Sequence, residues 1–145
     1  MLPELLIQRL DPALPLPRFA KPGDAGMDLY ARVDASIPPG GRELVPNGIA
    51  IALPAGFVAL AVPRSGFALK QGGTLLNSPG VIDAGYRGEV CSIVHNSGAE
   101  TLVIARGDRI AQLLVLRLPE LAITEVEELP GTHRGAGGFG STGRS

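Results

Sequence analysis

The stretch Ile49-Ala-Ile-Ala-Leu-Pro-Ala-Gly-Phe-Val-Ala-Leu-Ala-Val62 decides the fold class. Ile49, Ile51 and Leu53 alternate with alanine, the period of a strand with a buried face. Pro54-Ala55-Gly56 supplies turn chemistry, and Phe57 to Val62 is a second apolar run, so the segment reads as a β-hairpin. The same grammar repeats outward. Glu89-Val-Cys-Ser-Ile-Val-His95 stops at Asn96-Ser97-Gly98, and Thr101 to Ala105 leads through a Gly107-Asp108 turn into Ile110 to Leu118. That last run has one polar side chain, Gln112, and one charge, Arg117; the tight turns around it favour a buried strand over a helix. Strands are also expected at Leu5 to Leu10 and Met27 to Ala31, with one short turn of helix at Phe67 to Gln71. Many short antiparallel strands predict an all-β chain, a barrel or a jelly-roll-like sandwich.

Composition agrees. The chain has 145 residues, enough for one domain, and 45% of them are apolar, enough to bury a core. Aromatics are 4% with no Trp, so the core must be aliphatic. Twenty Gly and thirteen Pro are roughly double average usage and fit many turns. A net charge of -1 argues against a protein that grips nucleic acid through phosphates. The longest charge-free stretch, Leu44 to Pro63, is interrupted by Pro46 and Pro54 and would not form a membrane helix. No apolar leader is visible in the first twenty residues. One cysteine, Cys91, rules out an internal disulfide framework and, with two histidines, a zinc site of ordinary spacing. A soluble protein of a reducing, cytoplasmic compartment is expected, with neither nucleic acid nor membrane as partner.

The composition changes at Gly131. Residues 131–145 hold six glycines and cannot pack a core, which predicts a domain over residues 1–130 followed by a mobile arm over 131–145. Arg134-Gly-Ala-Gly-Gly-Phe-Gly-Ser-Thr-Gly143 carries an anion-binding inventory: curling backbone N–H groups, two hydroxyls and a planar cation. It is no Walker loop, since no Lys precedes Ser141-Thr142. A frayed, Gly-rich tail is the competing reading, but such a tail has no use for Phe139 or Arg134. Pro63-Arg64-Ser65-Gly66, directly after a strand, again suits a phosphate, though an ordinary exposed turn has the same composition. Asn77-Ser-Pro-Gly-Val-Ile-Asp-Ala-Gly-Tyr-Arg-Gly-Glu89 reads as a compact hairpin with Asp83 near its tip. A carboxylate and an aromatic ring three residues apart there suit a base and a flat packing surface; local turn bonding is what a single Asp more often does. Asp24 and Asp28 are carboxylates able to meet a hard cation directly or through water. Asp11 and Asp34 have no such setting and are expected to be solvated, as is the Glu125, Glu127, Glu128 face. His95 and His133 read as structural or solvated, and Cys91 as a small buried apolar side chain.

Five motifs stand in order: Ala25-Gly-Met-Asp-Leu-Tyr-Ala31, Pro63-Arg-Ser-Gly66, Gly80-Val-Ile-Asp-Ala-Gly-Tyr-Arg-Gly-Glu89, Gly107-Asp-Arg-Ile-Ala-Gln-Leu113, and Arg134 to Gly143. Any one is weak. Together, at workable spacings over nearly the whole chain, they resemble the motifs of the trimeric deoxyuridine triphosphatase (dUTP pyrophosphatase) family. The resemblance implies a jelly-roll-like homotrimer that cuts dUTP to dUMP and pyrophosphate with Mg²⁺, in sites shared between subunits. It also implies the site residues. Asp83 is similar to the residue that orients and deprotonates the attacking water. Asp28 is similar to the carboxylate that anchors the Mg²⁺ water shell. Arg64, Ser65, Gly66 and Gln112 resemble the phosphate contacts. Asn77 and the backbone from Gly80, Val81 and Ile82 to Cys91 resemble the uracil reader, with Tyr86 under the deoxyribose. In the arm, Phe139 and Gly140 would cover the base while Arg134, Ser141 and Thr142 meet the distal phosphates. Departures are few: Gly73 replaces an apolar residue, and Met27 and Cys91 fall at variable positions. The related dCTP deaminases need a different carboxylate and second motif, against which Gly-Val-Ile-Asp83 speaks. A non-catalytic nucleotide-binding trimer would use the same loops without turnover.

Overall fold

A computed structural model describes residues 1–144. Ten strands and one helix follow in the order β1 (Leu6–Arg9), β2 (Gly26–Tyr30), β3 (Ala35–Ile37), β4 (Arg42–Ala52), β5 (Phe57–Val62), α1 (Ser65–Gln71), β6 (Gly73–Leu75), β7 (Gly80–Ile82), β8 (Glu89–Asn96), β9 (Leu102–Ile104) and β10 (Arg109–Arg117). They form two four-stranded sheets, β1-β4-β8-β6 and β2-β10-β5-β7, and a two-stranded ribbon, β3-β9, in a jelly-roll-like arrangement. Every pairing is antiparallel.

Alternation places the core. β8 buries Val90, Ser92, Val94 and Asn96 and turns the residues between them outward. Leu29, Ile37, Val45, Ile104, Ile110 and Leu113 complete an aliphatic centre with no more than 1% of their surface exposed. Fully burying one such side chain contributes about 1.5–3 kcal/mol. The few polar groups inside are satisfied. Asn96 Nδ2 donates to the carbonyls of Ile37 (2.9 Å) and Glu100 (2.8 Å), and Ser92 Oγ donates to Asn47 Oδ1 at 3.0 Å.

The hairpin expected over Ile49 to Val62 does not form. β4 and β5 flank the Pro54-Ala55-Gly56 turn but belong to different sheets: β4 pairs with β1 and β8, and β5 with β10 and β7. The chain crosses the sandwich at this turn. Both strands are largely buried, and a continuously apolar strand carries no mark of its partner. β10, the other long apolar run, matches β5 over six residue pairs from Gln112↔Val62 to Arg117↔Phe57. That ladder prevails over the local turn. For the same reason Gly80 to Cys91 is no paired hairpin. β7 joins β5, β8 joins β4, and the loop between them bridges the two sheets. β3 and β6, three residues each, have too few residues to show a period and carried no sequence signal.

Phe67 is the one buried aromatic among the described residues. A Cβ on Gly73 would fall inside its ring, so the missing side chain at Gly73 is the space Phe67 fills. Past Arg117 there is neither strand nor helix among the described residues, and every residue from Leu116 to Arg144 is exposed except the half-buried Gly138. The compositional break at Gly131 thus lies well beyond the last strand. No helix is long and apolar enough to cross a membrane among the described residues.

Candidate active site

Three loops supply the chemistry. The first lies between β7 and β8. The Tyr86 N–H donates to Asp83 O at 3.0 Å, closing a tight turn that presents both side chains outward. The Tyr86 hydroxyl donates to Glu89 O at 2.9 Å. Its ring lies across Gly88, where a Cβ would stand 2.5 Å from the hydroxyl oxygen. Only a residue without a side chain fits beneath it. Asn77, Gly80, Val81, Ile82, Asp83, Tyr86, Glu89 and Cys91 line one depression of about 210 Å³. Gly80 is narrow by design: a Cβ there would be 3.3 Å from Asn77 Nδ2, so the backbone itself faces the cavity. The Cys91 sulfur lies 3.6 Å from Glu89 O, and burial followed by the Glu89 charge pushes its thiol above the ordinary range. A thiol so held is a poor nucleophile, although Cys91 is half-buried at the cavity and not buried as expected.

The second and fourth motifs meet the first. Arg64, Ser65 and Gly66 at the start of α1 join Asp24, Gly26, Asp28 and Gln112 around a second, polar depression of about 350 Å³, which Arg18 also lines. Arg64 Nε lies 2.9 Å from Asp28 Oδ1, and Arg64 Nη1 donates to Arg109 O at 3.1 Å. Gln112 Nε2 donates to Pro63 O at 3.0 Å, while Gln112 Oε1 occupies the space a Cβ on Gly26 would need. Gly26 is therefore required for the amide to reach across from β10. Two arginines line this depression beside two carboxylates, which gives it donors for an anion and lone pairs for a hard cation. Among the described residues no three His, Cys, Asp or Glu side chains gather to hold a metal unaided.

The two depressions share no lining residue. In this chain they are separate depressions. The third group stands in neither: Arg134, Gly140, Ser141 and Thr142 are exposed, and Phe139 is wholly so, at φ 49°. This segment folds on itself in small turns, Arg134 Nε donating to Gly137 O at 2.7 Å.

Reading by sequence missed three residues near these loops, Glu89, Arg18 and Arg109. Glu89 ends the third motif, but its carboxylate accepts from Gly48 N–H and Arg32, which only the fold brings near. Arg18 and the Arg109 carbonyl likewise gain meaning from neighbours distant in the chain. Asp11 and Asp34, expected to be solvated, are anchors. Asp11 pairs with Arg106 and Arg32, and Asp34 Oδ1 accepts the Arg106 N–H at 2.7 Å. The Arg106 hydrogen bond, with both guanidinium charges, holds the Asp11 carboxyl below its usual range.

The dUTPase family model matches residues 13–143. A deoxyuridine 5'-triphosphate nucleotidohydrolase of Thermobifida fusca is 54% identical over 138 residues, 94% of this chain and 77% of the relative. One of Dictyoglomus turgidum is 50% identical over 143 residues, 96% and 97% of the two chains. A mutant Staphylococcus bacteriophage 80alpha dUTPase with dUpNHpp has a TM-score of 0.90 at 24% identity, covering 97% of this chain and 99% of that one. A mutant dUTPase from phage phi11 of S. aureus, whose description concerns a structural Mg(II) ion, has a TM-score of 0.81 at 23% identity, covering 88% and 99%. These solved structures share the fold, and the family model and the nucleotidohydrolases match over nearly the whole chain: the chain belongs to the dUTPase family.

Proposed function

We infer that this chain hydrolyses dUTP to dUMP and pyrophosphate. The observation that carries the reading is the Asp83–Tyr86 turn, which sets a carboxylate and a ring at one cavity that the Gly80–Ile82 segment also lines. Water attacks a polyanion poorly unless it is held in line and relieved of a proton while the phosphate charge is neutralised. Asp83 is the group placed to hold that water and take its proton. Uracil offers an N3–H donor between two carbonyl acceptors, which the β7 backbone and Asn77 can match. Cytosine would set donor against donor and leave buried groups unpaired, a strong discrimination. A 5-methyl group on the base would press on the cavity wall, and the Tyr86 ring would leave a 2′-hydroxyl no room.

Arg64, Ser65, Gly66 and Gln112 bind the phosphates. Mg²⁺, when bound, would cancel phosphate charge, and such an ion keeps most of its water. Asp28 and Asp24 fit that role, since a phosphate-borne cation needs only one or two carboxylates reached through its water. Because the base cavity and the phosphate depression are separate in one protomer, a complete site requires halves from neighbouring subunits. The homotrimer with shared sites that the family resemblance implies would supply them, with residues 1–130 as the body and 131–145 as an arm. Phe139 over the uracil and Arg134, Ser141 and Thr142 on the distal phosphates would then exclude bulk water.

The test is direct. The purified chain is incubated with each (d)NTP and magnesium, and pyrophosphate and ammonia are followed. Pyrophosphate from dUTP alone is expected; ammonia from dCTP, or binding of dUTP without turnover, would overturn the reading.

A further inference from the structure

Glu89 does two things at once. Its carbonyl accepts the Tyr86 hydroxyl at 2.9 Å, and its carboxylate leaves the cavity in the other direction. There Oε1 accepts the Gly48 N–H at 3.0 Å and Arg32 Nη1 at 2.9 Å. The Gly48 N–H is available for a structural reason. Between Pro46↔Cys91 and Ala50↔Glu89 the register of β4 against β8 shifts, so three residues of β4 face one of β8. Gly48 takes a positive φ of 73° within this bulge, and the Glu89 carboxylate supplies the acceptor that the broken ladder does not.

Arg32 is in turn fastened at both ends. Its guanidinium donates to Leu10 O at 3.3 Å and lies 3.7 Å from Asp11 Oδ2. Its own carbonyl accepts Arg106 Nη1 at 2.7 Å, and its N–H donates to Pro46 O at 2.8 Å. A continuous chain of contacts thus runs from Tyr86 through Glu89 and Arg32 to Asp11 and Arg106. It ties the loop between the two sheets to the rigid end of the sandwich.

Resting on the dUTP reading, we propose that Glu89 and Arg32 are positioning residues that fix the Tyr86 ring, and with it the sugar selectivity of the site. Neither touches the reacting atoms in this account. The loop itself has few other supports, since residues 83 and 85–88 are exposed. Breaking the pair should therefore loosen the ring before it unfolds the chain.

The experiment compares Glu89→Gln, Glu89→Ala, Arg32→Met and Arg32→Lys with the parent and with Tyr86→Ala. Glu89→Gln keeps an oxygen for Gly48 N–H and removes only the charge, so it decides the matter if Glu89→Ala does not fold. For Glu89→Gln and Arg32→Met, kcat/KM on dUTP should fall about 10- to 100-fold. The dUTP-over-UTP ratio should fall roughly tenfold or more, in the direction of Tyr86→Ala. Arg32→Lys should recover part of both. A second readout needs no substrate. The chain has no Trp and two tyrosines, so in a Tyr30→Phe background the tyrosine emission reports Tyr86 alone. Its anisotropy should drop in Glu89→Gln. A lowered Tm with an unchanged dUTP-over-UTP ratio and unchanged anisotropy would mean a merely structural pair and overturn the proposal. A parent protein that ignores dUTP would instead overturn the substrate reading, leaving the anisotropy to judge the pair.

Discussion

Arg64 Nε lies 2.9 Å from Asp28 Oδ1, so the cation of the second motif and the carboxylate of the first are neutralised against each other. Arg109 Nη1 adds a weaker contact to the other carboxylate oxygen at 3.7 Å. Both side chains remain roughly a third exposed, at 31% and 28%, and such a pair contributes little to stability. On the proposed function its use is electrostatic: a triphosphate would offer Arg64 a stronger bidentate partner, and a cation travelling with the phosphates would offer Asp28 one.

Asp28→Asn should accordingly lower kcat/KM about 10- to 100-fold and raise the magnesium concentration needed for half the maximal rate. Steady-state pyrophosphate release across a magnesium series measures both. If neither moves, Asp28 has no part in holding the metal's water.

Asp83→Asn keeps the shape of the turn and removes the proton acceptor. Turnover should drop by about 10²- to 10⁴-fold, while calorimetric titration with a non-hydrolysable dUTP analogue gives nearly the parental affinity. Rapid hydrolysis by the variant would take the base role away from Asp83.

Removal of residues 131–145 should leave a folded body, because no side chain from Leu116 onward is buried among the described residues. Circular dichroism and sedimentation should match the full chain while turnover is lost. A truncated product that no longer folds or assembles would make the arm a structural element.

Gly73→Ala places a methyl inside the Phe67 ring. Overpacking of this kind costs about 1–3 kcal/mol, to be read from the urea midpoint. The double variant Phe67→Leu with Gly73→Ala should recover much of the loss. An additive second loss would show that the two sites do not share one space.

Asp11 predicts the acid limb of stability. Its folded carboxyl is held below the ordinary carboxylate range, first by the Arg106 hydrogen bond. A group depressed in the folded state stabilises above its unfolded value and loses that contribution as pH falls through the folded one. The parent should therefore lose stability below about pH 4 more steeply than Asp11→Asn. Urea midpoints at pH 7 and pH 3 check it; parallel falls would mean the ion pair has no weight.

Much of this protein can be read without coordinates. Alternation placed β8 and β2, the apolar run Ile110 to Leu118 was rightly a strand, and the turn of helix at Phe67 is the C-terminal part of α1. Residues within a few positions of each other decide such features, because strand period, turn chemistry and motif spacing are local. Partnership is not local. Leu53 and Phe57 flank one turn yet enter opposite sheets, since the pairing energy of β5 lies with β10, some fifty residues away. Likewise the Asp11–Arg106 and Arg32–Glu89 pairs join charges that look solvated in a list of residues. The amino-acid order alone determined the family's motifs and the aliphatic all-β character of the chain. Only the tertiary structure decided which strands meet and which charges pair. It also decided that the Asp83–Tyr86 cavity and the Arg64–Asp28 depression stand apart, because contact between distant segments is settled by the packing of the whole sandwich.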